Sequence, residues 1–332
     1  MSNIIVNSKN YSGNELESIF FRPLLTGQGA SSLGIRVLYN MPIPTVVPMW
    51  EHKGNVLSSF DEKSTWDEGS KSTHNKKTIP MSRVKAENAF SASDYFSTIY
   101  EIITSRPEVN MEDLTGTELE AAETELFRAA IADSIRMNLW LGDKEGGYET
   151  GYNSFDGLLK LINERVAGGE LHYAVSDLKS KLTADKIIEL LDSFVVNSSP
   201  RLKGLFNDGQ VAFFVSPSVY RLYESYLDTH YGEASYHDNQ YGRKQLMFHG
   251  FPIVEVNLEP AITESKLSDD FIIFTDRRNL VMAVNTADSP GSEVRMWYNP
   301  DQMENRQRAV FAIGCEILDE ELVAAGVDVV SI

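Results

Sequence analysis

Helical periodicity dominates one stretch of this chain. In TGTELEAAETELFRAAIADSIRMNLWLGD, Leu119, Ala122, Leu126, Ala130 and Met137 fall on one stripe, and Phe127, Ile131, Ile135 and Leu139 on a second. A helix with two apolar stripes packs on more than one side. Thr117 and Glu120 have the spacing of a capping box, in which hydroxyl and carboxylate accept from orphan backbone N–H groups. From Thr117 to Leu141 the helix would be about 37 Å long at 1.5 Å per residue. Gly142 is then expected to supply the left-handed residue that ends it.

Period-two and continuous apolar runs mark the strands. PTVVPMWEHKGNVLSSF begins as an extended segment carrying Val46, Val47, Met49 and Trp50. KKTIPMSRVKAENAF reads as a second strand, with Ile79 and Met81 on one face and Val84 and Ala86 on the other. That change of register predicts a bulge near Ser82. Between the two runs, only Val56, Leu57, Phe60 and Trp66 are apolar, too few for a core. Two strands around a polar tip make a projecting hairpin over residues 45–90. So long an arm is an exposed liability in a monomer and a reaching element in an assembly.

A helical pattern, SASDYFSTIYEIITS, ends before Pro107. Past the rod the chain alternates: a capped amphipathic helix at 183–194, a buried strand VAFFV at 211–215, and a helix with Pro217 in its first turn. A strand follows at 251–257, then two strands around a tight turn in FIIFTDRRNLVMAV. Such alternation predicts a compact α/β lobe. RAVFAIGCEI, apolar on both faces, is expected to return to the lobe of the long helix, so the lobes interleave.

Composition narrows the function. With 42% apolar and 23% charged residues in 332, the chain is an ordinary globular one with a sizeable core. Its 48 acidic against 30 basic residues leave a net charge of −18, which repels phosphate backbones and argues against direct nucleic-acid binding. An acidic lining would still suit a container, keeping enclosed DNA mobile. The first residues lack a secretory pattern and no apolar run approaches a membrane span, so the expected site of synthesis is the cytoplasm, with no membrane partner.

Candidate chemistry is sparse. LLTGQGASSLG lacks both the dinucleotide spacing and a phosphate-binding lysine. The lone Cys315 sits among apolar neighbours as a core thiol. His52, His74, His172, His230, His237 and His249 have no zinc-site spacing. No serine lies in a nucleophile elbow. The pairs Asp61–Glu62 and Asp67–Glu68 lie in the polar tip, where carboxylates stay solvated. Neither an enzyme nor a cofactor is therefore expected. A lysine of the hairpin (Lys53, Lys63, Lys71, Lys76 or Lys77) could in principle attack a neighbour's asparagine, but a solvated tip shows such lysines anyway.

The order of segments resembles the tailed-phage major capsid protein family with the Hong Kong 97 fold. It runs from a short arm and projecting hairpin through the FSASDYF helix to the long helix ending WLGD, then SFDGLL, VAFFVSPSVYRLY, LMFHGFPIVEVN, FIIFTDRRNLVMAV and AVFAIGCEILDEELVAAGV. The resemblance implies an α+β capsid fold. Its parts would be an N-terminal arm (1–44), an extended β-hairpin loop (45–90), a peripheral domain (91–180) with a spine helix at 117–141, an α/β axial domain (181–295) and return strands (296–332). It also implies hexamers and pentamers on an icosahedral lattice enclosing double-stranded DNA, with portal and decoration proteins as partners. Some relatives carry a long N-terminal scaffolding segment. Residues 1–44 are too few for one, so a separate scaffolding protein or none is expected.

Two surfaces are singled out for subunit contact. At the hairpin tip, Trp66 could anchor on a neighbour while Lys63, Asp67 and Glu68 pair across subunits, with local packing and plain solvation as the competing readings. Arg295, Trp297 and Tyr298 of SPGSEVRMWYNP could form a contact loop or be buried in their own lobe. Two other identities stay open: an encapsulin-like nanocompartment shell, and a soluble α/β enzyme with an unrecognised site.

Overall fold

The computed structural model describes residues 9–11, 30–52, 72–91, 118–146, 151–183, 186–230, 237–238, 244–258, 269–285 and 293–329. Its strands in chain order are β1 (Lys9–Tyr11), β2 (Arg36–Tyr39), β3 (Thr45–His52), β4 (Ser72–Ile79), β5 (Ser82–Ser91), β6 (Tyr173–Val175), β7 (Val211–Val215), β8 (His237–Asp238), β9 (Lys244–Gln245), β10 (Met247–Phe248), β11 (Phe251–Glu255), β12 (Phe271–Asp276), β13 (Leu280–Asn285), β14 (Glu293–Asn299), β15 (Glu304–Ile317) and β16 (Val323–Val327). The helices are α1 (Glu118–Leu141), α2 (Leu158–Gly168), α3 (Ile187–Val196), α4 (Pro200–Gly204) and α5 (Pro217–His230).

Two six-stranded sheets organise these elements. The first runs β1-β14-β15-β13-β2, with β5 also paired to β15. The second runs β10-β11-β7-β12-β16-β6. Strands enter each sheet from distant parts of the chain: β13 joins the first, while β6, before residue 181, and β16, after residue 295, join the second. FIIFTDRRNLVMAV is therefore not a hairpin. Its two halves, β12 and β13, part at a 3-10 turn (Arg277–Asn279) and go to different sheets. Periodicity reads each half as a buried strand and carries no information on which neighbour each will pair.

Strand alternation shows why the second sheet is apolar on both faces. Phe214, Phe271 and Ile273 point to the core that also holds Phe127, Ile131, Trp140 and Leu158 of α1 and α2. Phe213, Val215, Ile272 and Phe274 point the other way, onto Leu191, Phe194, Val219 and Tyr223 of α3 and α5. Sheet two is thus a middle layer between helices. The α1–α2 core continues onto Met282, Val284, Phe311 and Ile313 of the first sheet, so one apolar mass joins both.

Helix α1 confirms the rod from Glu118 onward; Thr117 and the side chain of Glu120 lie outside the described set. At 24 residues it is about 36 Å long. Phe127, Ile131 and Ile135 are buried as the second stripe requires, whereas Ala130 of the first is exposed. The last turn, Met137 to Leu141, is buried all round, with Trp140 between Phe214 and Phe271.

Gly142 is not left-handed, which corrects the expected stop. Its lack of a side chain serves close approach: a Cβ there would lie 2.2 Å from the Phe155 carbonyl oxygen and 2.4 Å from that of Asn138. Gly157 donates to the Gly142 carbonyl at 2.8 Å, joining the helix end to the start of α2. Beside this junction the buried Lys160 ammonium bridges Asp143 (2.6 Å) and Asp156 (2.8 Å). Burial disfavours each charged partner, but hydrogen bonding overrides it, holding Lys160 protonated and Asp143 below the usual carboxylate range. The helix drawn at 183–194 also shifts: α3 begins at Ile187, and Lys186 at its N-cap makes no side-chain cap.

Candidate functional site

The projecting hairpin is real at its base. Strands β3 and β4 pair antiparallel from Thr45↔Ile79 to His52↔Ser72. The expected bulged strand is instead two strands. β4 pairs with β3, whereas β5 pairs along β15 from Ser82↔Ile313 to Ser91↔Glu304. Pro80, which has no N–H to give a ladder, marks the break. Gly314 lies beneath it, where a Cβ would come within 2.0 Å of the Pro80 carbonyl oxygen.

Two kinds of contact hold the root. Ile79, with no exposed surface, packs on Val281 and Ala283 of β13, with Val47, Met81 and Leu318 around them. Buried Thr45 donates its hydroxyl to the Pro42 carbonyl at 2.7 Å. Beside this apolar seat, Lys77 pairs with Glu320 at 2.5 Å. Arg165 of α2 reaches Glu320 at 3.3 Å and Glu316 at 2.5 Å. Burial alone would raise the Glu320 carboxyl, but the hydrogen bond from Lys77 prevails and holds it below the usual carboxylate range. The chain Lys77–Glu320–Arg165–Glu316 therefore ties the hairpin to the body.

The two faces of β3 differ. Thr45, Val47 and Met49 turn toward the protein, while Val46, Pro48 and Trp50 turn outward. Trp50 is 76% exposed and Val46 47%. Trp50 meets the His74 ring edge-on at 4.5 Å between centroids, across the strand pair. Sequence reasoning placed the aromatic anchor at Trp66 and passed over Trp50, although alternation along TVVPMWEH already puts Trp50 opposite the inward residues.

Lys63, Trp66, Asp67 and Glu68 lie outside the described residues. Arg295, Trp297 and Tyr298 are not in a loop; they lie on β14, opposite Arg308, Arg306 and Asn305 of β15. Trp297 and Tyr298 are half-buried, and Trp297 borders a depression of about 350 Å³ with Glu87, Arg306 and Arg308. The strand forms because β15 offers an unbroken edge that the glycine- and proline-flanked sequence does not reveal. Of the two predicted surfaces, the structure therefore places only the second, on a sheet.

The single cysteine is held quiet. The Cys315 thiol donates to the Asp156 carbonyl at 3.1 Å, and burial pushes its pKa well up. Among the described residues no cluster of three His, Cys, Asp or Glu side chains is arranged to hold a metal ion. No helix among them is long and apolar enough to cross a membrane.

No family model and no curated protein matches this sequence. Solved structures do match its fold, and they are shells. A chain of the satellite phage P4 procapsid, which includes the size determination (Sid) protein, aligns with a TM-score of 0.56 and 10% identity over 92% of this chain and 96% of that one. The capsid of the native GTA particle aligns with a TM-score of 0.54 and 13% identity over 93% and 92%. This chain has a capsid fold. The same fold serves a protein container, the holo-SrpI encapsulin of Synechococcus elongatus PCC 7942, with a TM-score of 0.50 and 13% identity over 94% and 90%. The resemblance read from segment order to phage capsid proteins thus holds for the fold, and the similar proteins are structural shell components.

Proposed function

We propose that this chain is the major capsid protein of a tailed bacteriophage or prophage. It self-assembles as hexamers and pentamers into an icosahedral shell of the Hong Kong 97 type around double-stranded DNA. The observation that carries the reading is the hairpin, rooted firmly in its own subunit while presenting the outward apolar face of Val46, Pro48 and Trp50. A firm root with an uncovered aromatic on its outward face suits a neighbour's surface. In this reading residues 45–90 form the extended loop, α1 is the spine of a peripheral domain built on the first sheet, and residues 181–295 supply most of the axial domain. The tip residues Lys63, Trp66, Asp67 and Glu68 and the strand residues Arg295, Trp297 and Tyr298 are further contacts. The protein has no catalytic role. It is made in the bacterial cytoplasm and ends in the virion, with a portal and, where used, separate scaffolding and decoration proteins.

The test is electron microscopy and sedimentation of the purified full chain beside a variant lacking residues 60–72. Shells, tubes or capsomer rings that vanish on deletion support the reading. A small monodisperse species for both, across salt and protein concentration, overturns it. A second reading, an encapsulin-like container, has the SrpI likeness in its favour. Particles holding one protein cargo rather than DNA would decide for it.

A further inference from the structure

Arg277 opens the 3-10 turn that carries the chain from the second sheet to the first. Its backbone N–H donates to the Gln210 carbonyl at 3.1 Å, fixing the residue in place. The side-chain stem then crosses Gly34, so closely that a Cβ there would lie 2.6 Å from Arg277 Cδ and 3.3 Å from Nη1. Gly34 also has φ of +80°, so that position suits glycine on two counts. The turn ahead of β2 has thus been left bare where the arginine lies.

Its neighbour shows how this protein ordinarily treats an arginine. Arg278 pairs with Asp276 at 2.6 Å and Asp208 at 3.1 Å. Arg165 and Arg201 likewise each meet two carboxylates. Arg277 has no carboxylate partner among the described residues, and its Nε is fully enclosed with no hydrogen-bond acceptor. Burial is the one influence on its titration, and it disfavours the charge. A guanidinium stays charged in proteins, and no carboxylate among the described residues offsets what its burial costs. Arg277 is half-buried, so part of its charge leaves water with no carboxylate among the described residues to receive it.

We infer that Arg277, laid over Gly34, is one half of an ion pair completed by a carboxylate of a second copy of this chain. The inference rests on the shell reading proposed above. Charge decides the occupant: a chain with 48 acidic and 30 basic residues offers carboxylates on every neighbouring copy. The same net charge of −18 opposes the approach of a nucleic-acid phosphate backbone. The planar fork of arginine suits two-point binding of a carboxylate, and desolvation at a subunit contact strengthens it.

Two full-length variants test this, R277M, of similar length without the charge, and R277K, which keeps the charge without the fork. Assembly is followed by sedimentation after nuclease treatment, and melting is measured on the soluble unassembled fraction. The expected result is an R277M subunit that melts at the wild-type temperature or higher, with at least a tenfold fall in shell yield at the concentration where half of wild type assembles. R277K should recover part of that yield. Wild-type yield from R277M overturns the inference while leaving the shell reading intact. A fall of more than about 5 °C in the R277M melting temperature also overturns it, because the guanidinium would then serve its own subunit. A defect seen only when nucleic acid is present assigns the residue to a polyanion instead. Failure of wild type to assemble sinks the shell reading itself.

Discussion

The second sheet and the hairpin are both built from apolar β-strands, yet they are finished differently. Every residue of β7, β12 and β16 is buried, because helices cover one face and a second helical layer covers the other. The hairpin has one covered face, seated through Ile79 and Val47, and one open face carrying Val46 and Trp50. The first region completes itself within the chain. The second has a packed root and an uncovered outer face. On the shell reading proposed above, stability resides in the sheet and assembly in the hairpin, and the two properties should separate on mutation.

The largest effect should come from the sheet. Phe213 stacks on Phe274 at 4.3 Å between centroids, both fully buried. Phe213→Ala should cost about 3–5 kcal/mol, read as a lower urea midpoint for the whole chain. An unchanged midpoint would mean the sheet is not the stability core.

The hairpin root comes next. Ile79→Ala should cost about 2–4 kcal/mol locally, speeding amide exchange in β3 and β4 while β7 and β12 stay protected. Equal loss of protection in both regions would erase the distinction drawn here.

Acid should act on the same root, more weakly. The Glu320 carboxyl is held below its ordinary range by Lys77 and Arg165. A group with a depressed folded pKa contributes stability above its unfolded value, about 4.3, and loses it as pH falls through the folded value. Exchange in the hairpin should therefore rise on acidification below about pH 4, and Glu320→Gln should bring that loosening to neutral pH. A hairpin equally protected in both proteins across that range would show the pair to be ornamental.

The smallest effect on folding, and a large one on assembly, is expected at Trp50. Because it is 76% exposed, Trp50→Ala should change subunit stability by no more than about 0.5 kcal/mol. Shell yield should nonetheless fall severalfold in sedimentation, since aromatic anchors dominate contacts. A variant that assembles like wild type would move the hairpin contact elsewhere.

Local pattern made much of this legible. The stripe Phe127, Ile131, Ile135 and Leu139 foretold the buried side of α1, and VAFFV foretold a doubly covered strand. Alternation around Trp50 marks the open hairpin face, opposite the inward Thr45, Val47 and Met49. Local pattern fell short at three other features for one shared reason. Gly142 looked like a left-handed stop, but Phe155 decides its role from thirteen residues away. The Ser82 bulge was the Pro80 break between two sheets. The tight turn at Arg277–Asn279 joins two strands as read, but sends them to different sheets.

Sequence by itself determined the long helix, the buried strand VAFFV and the strands at the hairpin base, since each depends on side chains a few residues apart. Only the tertiary structure decided which sheet each strand joined, why Gly142 and Gly314 must lack a side chain, and how Lys77, Glu320, Arg165 and Glu316 connect hairpin to body. It alone shows Arg277 without a carboxylate among the described residues. Each of these is a contact between residues distant in the chain, and a pairing at that range is selected by the free energy of the whole packed core, which no local period encodes.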